Sequence, residues 1–306
     1  MGPWSGGQLC ILGVEFPGER LAQVLFGYES SYPPDASELA LPDAAAARRL
    51  LQARLPHVAE RLTAVATRFA VDPRALDATL LGAARLALRH GSVGEDFHAY
   101  HNEAHVLEVG ERRLQHLVEG LGDAAPRGDD LAALLMFAAC HDLRQRETLD
   151  FPGPVGGNEA ASSAETFRIL DACGFDRATD RAAYVALELM ISASTFDAKP
   201  VAMNDPQTED LPDVAGGALA RGLHLWLDIC EEGWRGDADA RRGERLARLS
   251  ADLDTANVGE DFVLLCETAL RLCREREMRA GRDLGSNASS LTSLAFLGAG
   301  QDYYFF

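Results

Sequence analysis

Residues 44–70 read AAAARRLLQARLPHVAERLTAVATRFA. Their apolar positions Leu50, Leu51, Leu55, Val58, Leu62, Val65 and Phe69 recur mostly three or four apart, with Arg and Glu between them. That is the stripe of an amphipathic α-helix, broken near Pro56. Asp72-Pro73 then supplies an N-cap followed by proline at the first helical position, leading a helix through Leu76, Leu80, Leu81, Leu86 and Leu88 to a stop at Gly91. Outward from this stretch, the same periodicity predicts helices over roughly 97–120, 128–143, 158–173, 178–194, 213–233, 240–254 and 259–280, separated by turns rich in Gly, Pro or Asp. Alternating strand patterns are nearly absent. The expected architecture is an all-α bundle with one core over residues 39–282. An irregular arm, residues 1–38, precedes it. A Gly/Ser-rich tail, residues 283–306, follows and ends Tyr303-Tyr304-Phe305-Phe306, rings that suit either a docked segment or a frayed end.

The 306 residues carry 29 Lys+Arg against 47 Asp+Glu, a formal charge of −18, and 47% are apolar. These values describe a globular chain able to bury a sizeable core and exclude bulk disorder. The negative charge argues against nucleic acid or an anionic membrane surface as a partner, since no basic run offsets it. No stretch approaches the roughly 18 apolar residues of a membrane span, and no basic region precedes an apolar run at the N-terminus. A cytoplasmic, unanchored protein is expected. Six scattered cysteines without a CxxC pair read as reduced apolar residues.

Of eight histidines, three fall in His98-Ala-Tyr-His101-Asn-Glu-Ala-His105. On a helix, a four-residue step turns about 40° past a full turn and climbs about 6 Å, so His101 and His105 are expected on one side. A second cluster, Phe137-Ala-Ala-Cys-His141-Asp142, ends an apolar helix in adjacent His and Asp. The third element is Leu223-His-Leu-Trp-Leu-Asp228-Ile-Cys, a nearly continuous apolar helix with a single carboxylate. Each alone has an ordinary structural explanation: an interfacial histidine, a helix-end pair, a core carboxylate bonded to an arginine. Together they offer two imidazole nitrogens and two carboxylate oxygens, a set that suits Zn, Fe, Mn or a similar ion.

Tyr100-His101-Asn102-Glu103-Ala104-His105, then Ala138-Ala139-Cys140-His141-Asp142, then Leu227-Asp228-Ile229, resemble the HD superfamily of metal-dependent phosphohydrolases, over about residues 95–235. The likeness is to the branch that holds the cyclic nucleotide phosphodiesterases and small bacterial HD proteins. It implies that His105, His141, Asp142 and Asp228 bind one divalent ion (Zn, Mn, Fe or Mg), with a second left open. It also implies that metal-bound hydroxide attacks phosphorus while His101 protonates the departing oxygen, as general acid. Gly157-Asn158-Glu159-Ala160-Ala161-Ser162 resembles the Asn-Glu-x-x-Ser stretch of small bacterial HD proteins. Glu159 is a candidate neighbour of the metal and, with Asn102, Arg144 and Arg146, a candidate substrate contact; the arginines suit either forked hydrogen bonds to phosphate or solvated charges after a helix end. The chain departs from the cyclic nucleotide phosphodiesterases in carrying Leu143-Arg144-Gln145-Arg146 where they have a further His.

The implied activity is hydrolysis of a nucleotide or another small phosphate ester, as a phosphomonoesterase or phosphodiesterase; a homo-oligomer stays open. One alternative is an HD-type di-iron oxygenase that recruits His224, the only His between Asp142 and Asp228. The other is a non-catalytic metal-binding sensor or binding module.

Overall fold

The computed structural model describes residues 29, 31–145, 157–194, 220, 223–230, 233–279 and 281. Every regular element among them is helical, so the chain is all-α. Most of the N-terminal arm, residues 146–156 with Arg146, and the aromatic tail lie outside the described residues.

The N-terminal helices follow their caps. The short α1 (Ala36–Ala40) begins at Asp35, whose carboxylate accepts from the Glu38 amide at 3.0 Å, so helix starts before the expected boundary at residue 39. Asp43 caps α2 (Ala44–Arg54), Pro56 opens α3 (Pro56–Arg68), and Asp72-Pro73 opens α4 (Pro73–Arg89). The expected break at Pro56 is where α2 gives way to α3.

The core is built on α4 and α7 (Asp129–Cys140). From Leu131 to Cys140 every residue of α7 is buried. The two helices meet at Gly82, where an added Cβ would sit 2.8 Å from Cys140 Sγ and 3.0 Å from the Ala139 carbonyl oxygen. Only hydrogen fits between them, and this close approach fixes where α7 ends. Beside it run α8 (Gly157–Ala172) and α9 (Arg181–Ser192). The longer α11 (Ala238–Thr255) lies along α9, with Gly243 turned toward Leu189, and α12 (Phe262–Arg279) follows. The expected helix over 213–233 is described only as α10 (Leu223–Cys230).

One departure matters for the site. The helix expected from about residue 97 begins at Glu103, as α5 (Glu103–Leu107), because Asn102 is its N-cap: extended at φ −148°, it accepts from the Ala104 amide at 2.9 Å. Residues 98–101 thus precede the helix, and His101 and His105 do not share one of its faces. From α5 the chain passes without a break through a π-turn, Glu108–Arg113, into α6 (Leu114–Leu121). Such turns insert a residue into the helical repeat and recur at functional sites.

A buried ionic cluster ties these parts together. Arg85 reaches Glu38 and Glu165, Arg89 reaches Asp35 and Glu165, and Arg144 and Arg168 reach Glu38. Arg89 Nη1 also donates to the Leu143 carbonyl at 2.6 Å, which holds the turn just after α7. No described helix is long and apolar enough to cross a membrane.

Glu165 is wholly buried, and removing it leaves Arg85, Arg89 and Arg144 under-compensated in the interior. Glu165→Ala is expected to cost about 3–5 kcal/mol, read as a lowered urea midpoint.

Candidate metal centre

Three helix ends converge. His105 comes from α5, His141 and Asp142 from the C-terminal end of α7, and Asp254 from the last turn of α11. One ligand atom from each of His105, His141 and Asp254 lies within 4.8 Å of the other two. His105 Nε2 is 3.0 Å from Asp254 Oδ1 and 3.6 Å from Asp142 Oδ2; His141 Nε2 is 2.9 Å from Asp142 Oδ2 and 3.5 Å from Asp254 Oδ1. Both imidazoles are almost fully buried.

A hydrogen bond behind the ring sets the tautomer of His141. His141 Nδ1 donates to the Phe137 carbonyl at 3.0 Å, so its Nε2 offers a lone pair toward Asp142 and Asp254 when the ring is neutral. Behind His105, Glu108 Oε2 stands 3.6 Å from Nδ1, and Arg271 holds that carboxylate from its other side. Arg113 Nη1 donates to the carbonyls of Leu253 (3.0 Å) and Asp254 (2.6 Å), pinning the end of α11 to the π-turn.

Charge is concentrated here. Burial acts to raise the Asp142 pKa, but His141 and its neighbouring histidines overcome it and hold the carboxyl at about 2. Asp254 is likewise held well below the carboxylate range against its burial, by His105 and His141. For His141, burial acts downward and is overcome by Asp142 and Asp254, which raise it well above the ordinary imidazole value. Without a cation, a proton on His141 offsets part of the carboxylate charge. A divalent ion fits the donor set: His141 Nε2 and Asp142 Oδ2 are buried, 2.9 Å apart, and without hydrogen-bond geometry. Two imidazole nitrogens and two carboxylate oxygens are a mixed set of the kind borderline divalent ions take.

His101 stands at the rim, 19% exposed. Its Nδ1 lies 2.6 Å from Glu275 Oε1 on α12, and Glu275 Oε2 accepts from the backbone amides of Tyr100 (2.8 Å) and His101 (3.0 Å). Glu275 therefore fixes both the backbone and the ring of His101. Burial pulls the His101 pKa down, but Asp142 and Glu275 more than offset it and raise it. The ring of Tyr100 packs between His101 and His105, at 4.8 and 4.5 Å.

Four other expected site residues stand elsewhere. Asp228 is on the exposed side of α10, where Trp234 Nε1 and Arg235 Nη2 each donate to it at 2.8 Å. In that helix Leu223 and Leu227 face inward, and Asp228, about 100° further round, faces out. It is bonded to an arginine, as in the ordinary explanation, but at the surface and not in the core, and His224 sits near it rather than with His105. Arg144 is 4% exposed within the ionic cluster, so it does not face a substrate. Asn102 is committed to its cap through Oδ1 and to the His98 carbonyl through Nδ2 at 2.6 Å. Glu159 is partly buried in the first turn of α8, outside the converging ligand groups.

Asp254 and Glu275 were missed, and Asp254 had a signal. Asp252 and Asp254 fall in the last turn of α11, which contains no basic residue. Acidic side chains there oppose the helix dipole, and such a placement calls for a partner. Glu275 lies in the run Arg274-Glu275-Arg276-Glu277, which reads as a solvated face.

No family model matches the chain, and no curated protein or solved structure matches it either.

Metal content separates the two aspartates. Asp254→Asn is expected to lose most of the bound divalent ion and Asp228→Asn to retain it, measured by inductively coupled plasma mass spectrometry after reloading. In the metal-free protein, the raised His101 pKa keeps its ring protonated to higher pH than a free imidazole. Glu275→Gln should move that titration to lower pH, read by NMR.

Proposed function

We propose that the chain is an HD-type, divalent-metal-dependent phosphohydrolase acting on a nucleotide or another small phosphate ester. What carries this reading is the convergence of His105, His141, Asp142 and Asp254 beside a histidine buttressed by a carboxylate. The order His, His-Asp, Asp along the chain is the one the HD resemblance implies, with Asp254 as its last member in place of Asp228.

His105, His141, Asp142 and Asp254 would hold the ion. When bound, a divalent ion acidifies water and draws charge from a phosphoryl oxygen. The protein's own part is proton supply. Glu275 engages Nδ1 of His101, so the transferable proton is the one on Nε2. Asp142 and Glu275 favour the imidazolium, the form that can give that proton to a departing alkoxide. Deprotonated His101 then remains oriented by the same carboxylate for the next turnover.

The negative charge of the whole chain does not forbid a phosphate ligand. Protonated His101 and the ion supply local positive potential, and Arg279, whose Nη1 is 3.8 Å from Glu275 Oε1, adds to it.

The test uses the full chain reloaded with Mn, Zn or Fe, assayed on bis(p-nitrophenyl) phosphate and a panel of nucleotides. Turnover is expected, and His101→Asn should lower kcat by about 10²–10⁴-fold while keeping the metal. Stoichiometric metal with no hydrolysis of any ester would overturn the catalytic reading in favour of a binding module. Stoichiometric iron with oxygen-dependent turnover would favour the oxygenase.

A further inference from the structure

We propose that His90, Asp96 and His98 form a second cation site, separate from the His105–His141 centre, that takes a zinc-class divalent ion. The site is built where α4 ends. His90 is the C-cap of that helix, and the chain then loops back so that the His98 amide donates to the His90 carbonyl at 2.8 Å. This bond sets the two rings face to face, with centroids 4.0 Å apart and planes 23° from parallel.

Asp96 closes the group. Its Oδ2 is 3.3 Å from His90 Nδ1 and 3.3 Å from His98 Nε2. For a tetrahedral ion with ligand bonds of about 2.0 Å, the ligand-to-ligand edge is about 3.3 Å. One ligand atom from each of His90, Asp96 and His98 lies within 4.8 Å of the other two.

The buried polar atoms point the same way. His90 and His98 are 3% and 1% exposed, and neither ring nitrogen of His90 has a hydrogen-bond partner. A buried unsatisfied donor or acceptor in a native interior calls for an ion or a water. Burial, with His98 and Arg89 nearby, holds His90 down at about 3, so its ring is neutral near pH 7. Asp96 is 47% exposed, which leaves an ion a route in and room for a water to complete its shell. Behind His98, Glu275 Oε1 lies 3.4 Å from Nδ1, the carboxylate-behind-histidine arrangement that orients metal-binding imidazoles.

The ion would clamp the loop between α4 and His98 and, through Glu275, brace the carboxylate that holds His101. The site does not depend on the phosphohydrolase reading, and its test counts ions rather than turnover. The untagged full chain is stripped with a chelator, reloaded with Zn or Co(II), and measured by inductively coupled plasma mass spectrometry and Co(II) visible absorption. Two equivalents are expected in the wild-type chain, one in His141→Ala and one in His90→Asn/His98→Asn. Asp96→Asn, at a half-exposed position that leaves the core intact, should weaken one of the two equivalents at least tenfold. A folded His90→Asn/His98→Asn protein that binds as many ions as wild type overturns the proposal. So does a wild-type chain whose only ion is lost in His141→Ala, an outcome that leaves the first centre standing.

Discussion

A helix buried on all sides has to stop somewhere, and α7 stops inside the protein. Its apolar run from Leu131 to Cys140 ends directly in His141 and Asp142, both nearly inaccessible. A carboxylate there is too costly to leave alone, so the surroundings are arranged around it. His105 arrives from α5 and Asp254 from α11, while Arg113 holds the end of α11 by its carbonyls. On the other side Arg89 holds the Leu143 carbonyl, connecting the turn after α7 to the ionic cluster of Glu38 and Glu165. The bundle brings four polar side chains together because the end of α7 requires partners there.

Most of the helices were legible because each begins with a local signal, as at Asp43, Asp72-Pro73 and Pro56. His141 and Asp142 were legible because a polar pair closing an apolar helix is conspicuous. A four-residue step along one helix would put His101 and His105 on one face, yet Asn102 starts the helix between them. The Tyr100 ring packs between the two histidines, and Glu275 holds the backbone of Tyr100 and His101, a contact across some 170 residues that no local pattern announces.

The aspartates show how apolar context misleads. Asp228 stands out in sequence because its neighbours are apolar, but a single helix turns adjacent residues about 100° apart, and an isolated acid on it is as free to face solvent as its neighbours are to face the core. Asp254 stands among charged residues and looks ordinary, although its place in the last turn of α11 opposes the helix dipole. Electrostatic misfit with the local backbone was the better indicator. Arg144 fails for a related reason. An arginine after a helix end reads as solvated or substrate-facing, whereas here two buried carboxylates, from Glu38 and Glu165, require guanidinium partners and take it inward.

Glu275 connects the two histidine groups. One carboxylate oxygen lies 2.6 Å from His101 Nδ1 and 3.4 Å from His98 Nδ1, and the other accepts two backbone amides. A single acid on α12 thus sets the position of the rim histidine and faces the back of the His90–His98 pair. Any change in charge at that pair is felt by His101 through the shared oxygen, because both contacts are buried and little screened. The loop from His90 to His101 is therefore more than a connection between α4 and α5: it carries His101 and the stacked histidines, and Glu275 of α12 faces both.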